Sequence, residues 1–205
     1  MSDEWLQLIE KIEVIGYCNE KIAKVMKETN REDFLPKEVK KFAFFDQPLP
    51  IGEGQTTSQP SLIAYILTKL DLKEGMNVME VGGGCGFVSA LISKLVGEGK
   101  VTTIERNKKL YEMMKKNLKN YRNVELVCKD GTKGYEKNAP YDRILVSAAA
   151  KEMPEALFQQ LKEGGRMILP LGGLLFQELV QIDKKNGKPD LNHLLPVLFV
   201  PLVEE

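Results

Sequence analysis

Apolar residues near the start of the chain recur at helical spacing: Leu8, Ile12 and Ile15, then Ile22, Val25 and Met26. This spacing gathers them on one face of an amphipathic helix. Gly16 and Asn19 interrupt the pattern, which therefore predicts two helices between about Glu4 and Met26. Asn30 to Pro50 reads as irregular chain carrying Phe42, Phe44 and Phe45, aromatics expected to pack the N-terminal part onto the sheet. Pro48 to Gly52 reads as extended, because residues before proline avoid the helical region. Leu62, Ile63, Ile66, Leu67 and Leu70 predict a helix over Pro60 to Leu70, with the proline suited to its first turn.

The middle of the chain then alternates. Short apolar runs predict strands over Asn77–Val81, Lys100–Ile104, Val124–Cys128, Tyr141–Ser147 and Gly165–Leu171. Between them, helical periodicity covers Phe87–Val96, Asn107–Leu118 and Pro154–Leu161. Such alternation implies a parallel sheet with helices on both faces. Leu174–Ile182 and Leu194–Val203 are long strand-like runs separated by residues 183–188, and Asn186-Gly187 is a strong turn signal. They are expected to close the sheet as an antiparallel pair. The fold class is thus α/β, doubly wound, with a mostly parallel seven-stranded sheet, a helical N-terminal extension and a C-terminal antiparallel strand pair. One domain is expected over 1–205, with 1–75 as the helical N-terminal segment and 76–205 as the sheet.

Composition narrows the setting. The chain has 205 residues, with 29 basic and 29 acidic side chains, so nothing in the total charge points to a polyanionic partner. Cys18, Cys85 and Cys128 are odd in number and lie far apart, which argues against a disulfide framework or a zinc site and for a reduced, intracellular setting. The acidic N-terminus does not resemble a signal peptide, and no apolar run approaches membrane-span length.

The candidate chemistry lies at the predicted strand ends. The strand ending Glu80-Val81 runs into Gly82-Gly83-Gly84-Cys85-Gly86, and a helix follows. Ligands of doubly wound sheets sit at the carboxyl ends of strands. The spacing is GxGxG; the third glycine of the dinucleotide pattern would fall at Phe87, and the P-loop's Gly-Lys-Ser/Thr is absent. The next strand ends in Glu105, placed to accept from both hydroxyls of a ribose, and the third in Asp130-Gly131, placed to accept from an adenine amino group. Glu80 is a candidate for orienting the loop or meeting a cationic ligand group. From position alone Glu105 could equally be a helix cap or a solvated charge, Asp130-Gly131 a turn, and Ser58 a cap on the helix entered at Pro60.

Pro48-Leu49-Pro50-Ile51-Gly52-Glu53-Gly54-Gln55-Thr56-Thr57-Ser58-Gln59-Pro60 resembles the PLPIGxGQTxSxP signature of the protein-L-isoaspartate O-methyltransferase family. Arg31–Pro36, Val78–Gly82, Pro140–Ile144, Ala148–Ala150, Leu161–Gly165 and Phe199–Leu202 match that family in order and spacing, so the resemblance spans nearly the whole chain. It implies a Rossmann-like class I methyltransferase fold and S-adenosylmethionine as cofactor, with S-adenosylhomocysteine as product. It also implies carboxyl O-methylation of L-isoaspartyl residues in damaged proteins and peptides, initiating repair through a succinimide. The implied roles are Ser58 as catalytic residue, Gln55, Thr56 and Thr57 in substrate binding, and Glu80, Gly82, Gly83, Gly84, Glu105, Asp130 and Gly131 in cofactor binding. No metal is expected. The expected partners are isoaspartyl peptides and proteins, without nucleic acid or membrane, for a monomer in the cytoplasm. The chain departs from the usual family pattern at Gly83, where threonine is common, and at Thr57, Phe87 and Lys129; Gly83 predicts weaker cofactor binding. The competing readings are a methyltransferase acting on RNA or a small molecule, a non-catalytic protein of the same fold that binds the cofactor, and a nicotinamide oxidoreductase. An isoaspartyl carboxylate is ionised at neutral pH and needs no general base, which fits a chain whose single histidine, His193, lies outside every motif.

Overall fold

The computed structural model describes residues 2–173 and 175–203. Helices α1 (Asp3–Val14) and α2 (Glu20–Lys27) open the chain. Their starts are fixed by side-chain caps: Ser2 accepts from the Trp5 N–H at 3.2 Å and Asn19 from the Ile22 N–H at 3.0 Å. Trp5 is fully buried, and its indole N–H donates to the Met26 carbonyl, tying α1 to α2. Its ring lies 6.4 Å from that of Phe44 and 6.2 Å from that of Phe87. Phe34 completes the cluster at 5.4 Å from Phe87. Trp5 and Phe34 therefore pack against the helix that follows the glycine segment, whereas Phe44 meets Trp5 and Phe42 pairs with Phe45, which is more than half exposed, so of the three clustered phenylalanines only Phe44 joins this cluster.

A small hairpin comes next, β1 (Leu49–Gly52) paired antiparallel with β2 (Gln55–Thr57), and then α3 (Pro60–Leu70). The main sheet follows. It contains β3 (Asn77–Val81), β4 (Lys100–Ile104), β5 (Val124–Val127), β6 (Tyr141–Val146), β7 (Leu161–Gly172), β8 (Gln177–Lys185) and β9 (Lys188–Val197). Their order is β5-β4-β3-β6-β7-β8-β9, with the first five parallel and the last two antiparallel. Between the parallel strands run α4 (Phe87–Val96), α5 (Lys108–Asn117) and α6 (Glu155–Gln159).

The two faces of the sheet are covered unequally. Val78, Val101, Leu145 and Ile168 point into a core shared with α1 to α5. Met79, Val81, Ile144, Val146 and Met167 point the other way, where Leu157 and Phe158 of the short α6 supply the cover. Strands buried on both faces carry continuous apolar runs, as β6 does.

Several predicted boundaries need correction. The helix expected over Pro154–Leu161 is only Glu155–Gln159, because Leu161 already belongs to β7, which starts four residues earlier than Gly165. The run expected to start at Leu174 begins as strand only at Gln177, and Leu174 itself lies outside the described residues. The last strand is Lys188–Val197, not Leu194–Val203. The hairpin turn is the two residues Asn186-Gly187, both at positive φ, so the ladder runs through the polar residues on either side. Those polar residues lie on an exposed edge strand, where apolar patterning has nothing to register.

Candidate active site

The carboxyl ends of β3, β4, β5 and β6 open onto a cavity of about 1130 Å³. Its walls include Ser58 and Gln55–Thr57 of the hairpin side, Glu80 and Gly82–Gly84 of the glycine segment, Glu105, Asp130 and Gly131. Every residue proposed from the sequence thus reaches one space.

The glycine segment is held from below. The Gly82 and Gly83 amides both donate to the Ile104 carbonyl, the Gly86 amide to the Gly83 carbonyl, and the Gly84 amide to Glu105 Oε2 at 2.9 Å. Four of five loop amides are therefore engaged inside the protein. A phosphate cradle presents its amides outward; this loop offers room and close backbone approach instead, which suits a ligand without phosphate groups. Gly82, at φ +87°, and Gly84, at φ +56°, hold conformations that side-chain-bearing residues rarely adopt. Phe87, at the place of a third dinucleotide glycine, is buried in the aromatic cluster.

Gly83 is tight for another reason. A Cβ there would stand 2.4 Å from both Met114 Sδ and Thr103 Oγ1. The volume that a side chain at 83 would occupy is already filled by α5 and β4. The small residue is matched to its neighbours.

Glu80 is buried on β3 next to Thr103, its register partner on β4. Its Oε2 accepts from the Ser89 hydroxyl and, at 3.1 Å, from Thr103. Its Oε1 is buried without a partner. Burial pushes this carboxyl up to about 7, with the Ser89 and Thr103 donors pulling the other way and the Glu105 charge adding to the rise. An unpartnered buried acceptor on a cavity-lining residue fits a cationic ligand group. Glu105 accepts with both oxygens, since its Oε1 also takes the Asn107 N–H at 2.8 Å. Each carboxylate oxygen has a further lone pair for a ligand hydroxyl. The helix-cap role belongs instead to Asn107, whose Oδ1 accepts from Lys109 and Leu110. Asp130 forms a turn with Thr132, accepting from its N–H and its hydroxyl, both at 2.9 Å. The turn reading and the cavity-lining reading both hold for it.

Ser58 does not cap α3. The N-cap is Gln59, with no side-chain cap bond, and the Ser61 N–H is taken by Asp46 Oδ1 at 2.9 Å. Among the described residues the Ser58 hydroxyl has no hydrogen-bond partner, and it lines the cavity. Thr57 is buried and its hydroxyl meets the Cys85 thiol, whereas Thr56 is exposed and Gln55 half-buried. Ile51 of β1 rests on Gly84, so the hairpin packs directly on the glycine segment. His193 is exposed on β9 beside Glu178, outside the cavity.

Sequence reasoning missed one wall. Residues 195–203 and Ser147-Ala148 also line the cavity. Residues 198–203, expected as strand, fold back instead: Pro201 bridges Ala149, and Gln177 holds Phe199 by accepting its N–H at 2.6 Å and donating to its carbonyl at 3.1 Å. Pro201 was the available signal, since proline cannot donate to a ladder.

The family model for protein-L-isoaspartate(D-aspartate) O-methyltransferase matches residues 4–205. A protein-L-isoaspartate O-methyltransferase of Methanothrix thermoacetophila is 44% identical over 200 residues, covering 96% of this chain and 93% of the relative. Another, from Methanococcus maripaludis, is 45% identical, covering 99% and 97%. In the crystal structure of a Plasmodium falciparum beta-aspartate methyltransferase in complex with S-adenosyl-L-homocysteine, the fold matches with a TM-score of 0.89 at 26% identity, over 100% of both chains.

Proposed function

The chain belongs to the protein-L-isoaspartate(D-aspartate) O-methyltransferase family, and from this we propose that it methylates the free carboxylate of L-isoaspartyl residues in damaged proteins and peptides, with S-adenosylmethionine as donor and Ser58 as the catalytic residue. The observation that carries the reading is the single cavity shared by Ser58 and the ends of β3, β4 and β5.

When bound, S-adenosylmethionine supplies a methyl group on a sulfonium that leaves as a neutral thioether, S-adenosylhomocysteine. Glu80, whose Oε1 is buried and unpartnered, would meet the cationic amino acid half. Glu105 would take the ribose hydroxyls and Asp130-Gly131 the adenine, while Gly82, Gly83 and Gly84 would allow close approach.

The Ser58 hydroxyl donates to one oxygen of the substrate carboxylate, leaving the other free to attack in line. A single neutral donor fixes geometry without withdrawing much charge from the nucleophile. Among the described residues β2 pairs only with β1, so its outer edge retains backbone groups for an extended peptide; Gln55, Thr56 and Thr57 would dock it there. The product ester is activated: attack on it by the following backbone nitrogen forms a succinimide and releases methanol. Hydrolysis of that ring returns part of the material to normal aspartate.

We read residues 1–205 as one methyltransferase domain, with 1–75 forming the substrate side and 76–205 the cofactor sheet. It acts as a monomer in the cytoplasm, with neither nucleic acid nor membrane as partner; the balanced charge supports the absence of a polyanion. No helix among the described residues is long and apolar enough to cross a membrane. The test is incubation with methyl-labelled S-adenosylmethionine and two peptides differing only in isoaspartyl or aspartyl linkage. Base-labile label on the isoaspartyl peptide alone is expected. Cofactor binding without transfer to either peptide would favour the non-catalytic alternative.

A further inference from the structure

Arg31 is wholly buried, yet no carboxylate among the described residues lies within ion-pair distance of it. Its charge is met by backbone carbonyls. Nη1 donates to Ala43 and Phe45, both at 3.2 Å, and Nη2 to Gln47 and Ser58, both at 3.0 Å. A buried cation without compensation is expensive; these four acceptors, with the nearby Asp46 charge, offset that cost, although Nε is buried without a partner. Burial lowers the guanidinium to about 10, so it stays charged at neutral pH.

The choice of carbonyls is informative. Gln47 precedes β1 and Ser58 follows β2, so one nitrogen closes both stems of the hairpin that carries the peptide-docking residues. Asp46, in the same segment, holds the Ser61 N–H on the far side of Ser58. Ser58 is thus gripped through its backbone on one side by Arg31 and, three residues on, by Asp46. Its side chain, by contrast, has no partner of its own among the described residues. Where the hydroxyl points is therefore set by the backbone that these two residues hold.

We infer that Arg31, together with Asp46, is a positioning residue for methyl transfer: it fixes the Ser58 backbone so that the hydroxyl meets the substrate carboxylate. This rests on the reading of Ser58 as the catalytic residue. A planar fork with donors on two nitrogens spans four carbonyls; an ammonium does not.

The test is a double-mutant cycle with Arg31→Lys and Ser58→Ala, each assayed with an isoaspartyl peptide and normalised to cofactor-binding sites. Arg31→Lys is expected to lower kcat by about ten- to hundredfold, the upper figure being what a misplacement of about 1 Å can cost. Cofactor Kd should stay within about twofold, and in the Ser58→Ala background Arg31→Lys should change kcat by less than about twofold. Equal proportional losses in both backgrounds would mark Arg31 as merely structural and overturn the inference, as would full kcat in folded Arg31→Lys. Should Arg31→Lys not accumulate folded, Asp46→Ala is put through the same cycle with Ser58→Ala: a loss that disappears in the Ser58→Ala background supports the grip, and an additive loss overturns it. Undiminished kcat in Ser58→Ala alone would remove the catalytic reading of Ser58 itself, an outcome separable from the others.

Discussion

Glu105 Oε2 accepts the Gly84 N–H at 2.9 Å, so the residue proposed to bind a ribose also anchors the glycine segment proposed to line the cofactor. The two functions are coupled through one carboxylate. Glu105→Gln keeps the shape and loses the charge. Charge-assisted hydrogen bonds contribute about 1.5–3 kcal/mol each, so cofactor Kd is expected to rise about ten- to hundredfold. Calorimetric titration with S-adenosylhomocysteine checks this, and an unchanged Kd would place the ribose elsewhere.

Gly83→Ala should destabilise the protein. The added carbon meets Met114 Sδ and Thr103 Oγ1 at 2.4 Å, and overpacking of this kind costs roughly 1–3 kcal/mol. Met114→Ala clears one of the two obstacles, so the double variant should recover part of the loss beyond what the singles predict. Denaturant unfolding measures both. A stabilised Gly83→Ala would mean that the site relaxes freely.

Glu80 gives a pH dependence with a definite sign. In the folded protein its carboxyl is raised from 4.5 to about 7, chiefly by burial. Its contribution to the stability of the ligand-free protein is therefore complete below about pH 4.5 and is lost as pH rises through 7, by up to roughly 3 kcal/mol. A cation beside Oε1 favours the ionised form, so S-adenosylmethionine binding should release a proton between about pH 5 and 7, with affinity rising across that window. Calorimetry in buffers of different ionisation enthalpy reads the proton directly. Glu80→Gln should abolish the release, and an unaltered release in that variant would assign it to another group.

Gln177 clamps the returning C-terminal segment through both backbone groups of Phe199. Gln177→Ala leaves those two groups without partners, at about 1–3 kcal/mol each where they are shielded from water. The KM for the peptide is expected to rise several-fold while the parallel sheet stays intact. Peptide kinetics and far-UV circular dichroism separate the two effects.

The strands β3 and β4 and the helices α3 and α4 have the bounds that their apolar patterns predict, because they are buried elements whose period is imposed by the core. That Glu80, Glu105 and Asp130 line one cavity was legible for a related reason: ligands of doubly wound sheets sit at the carboxyl ends of strands. What the pattern could not show are contacts between distant segments. The grip of Arg31 on Ser58 joins residues 27 positions apart through a backbone carbonyl, and a carbonyl leaves no trace in residue identity. The return of residues 198–203 over the cavity depends on Gln177 in the same way. The polar half of the β8–β9 hairpin was invisible because an exposed edge strand needs no apolar alternation.

The most direct measurement follows the fate of an isoaspartyl peptide by mass spectrometry during incubation with the protein and S-adenosylmethionine. The account predicts transient gain of one methyl mass, then loss of methanol to the succinimide, and accumulation of the normal aspartyl peptide, with the aspartyl control unchanged. A stable methyl adduct, or equal methylation of both peptides, would contradict it.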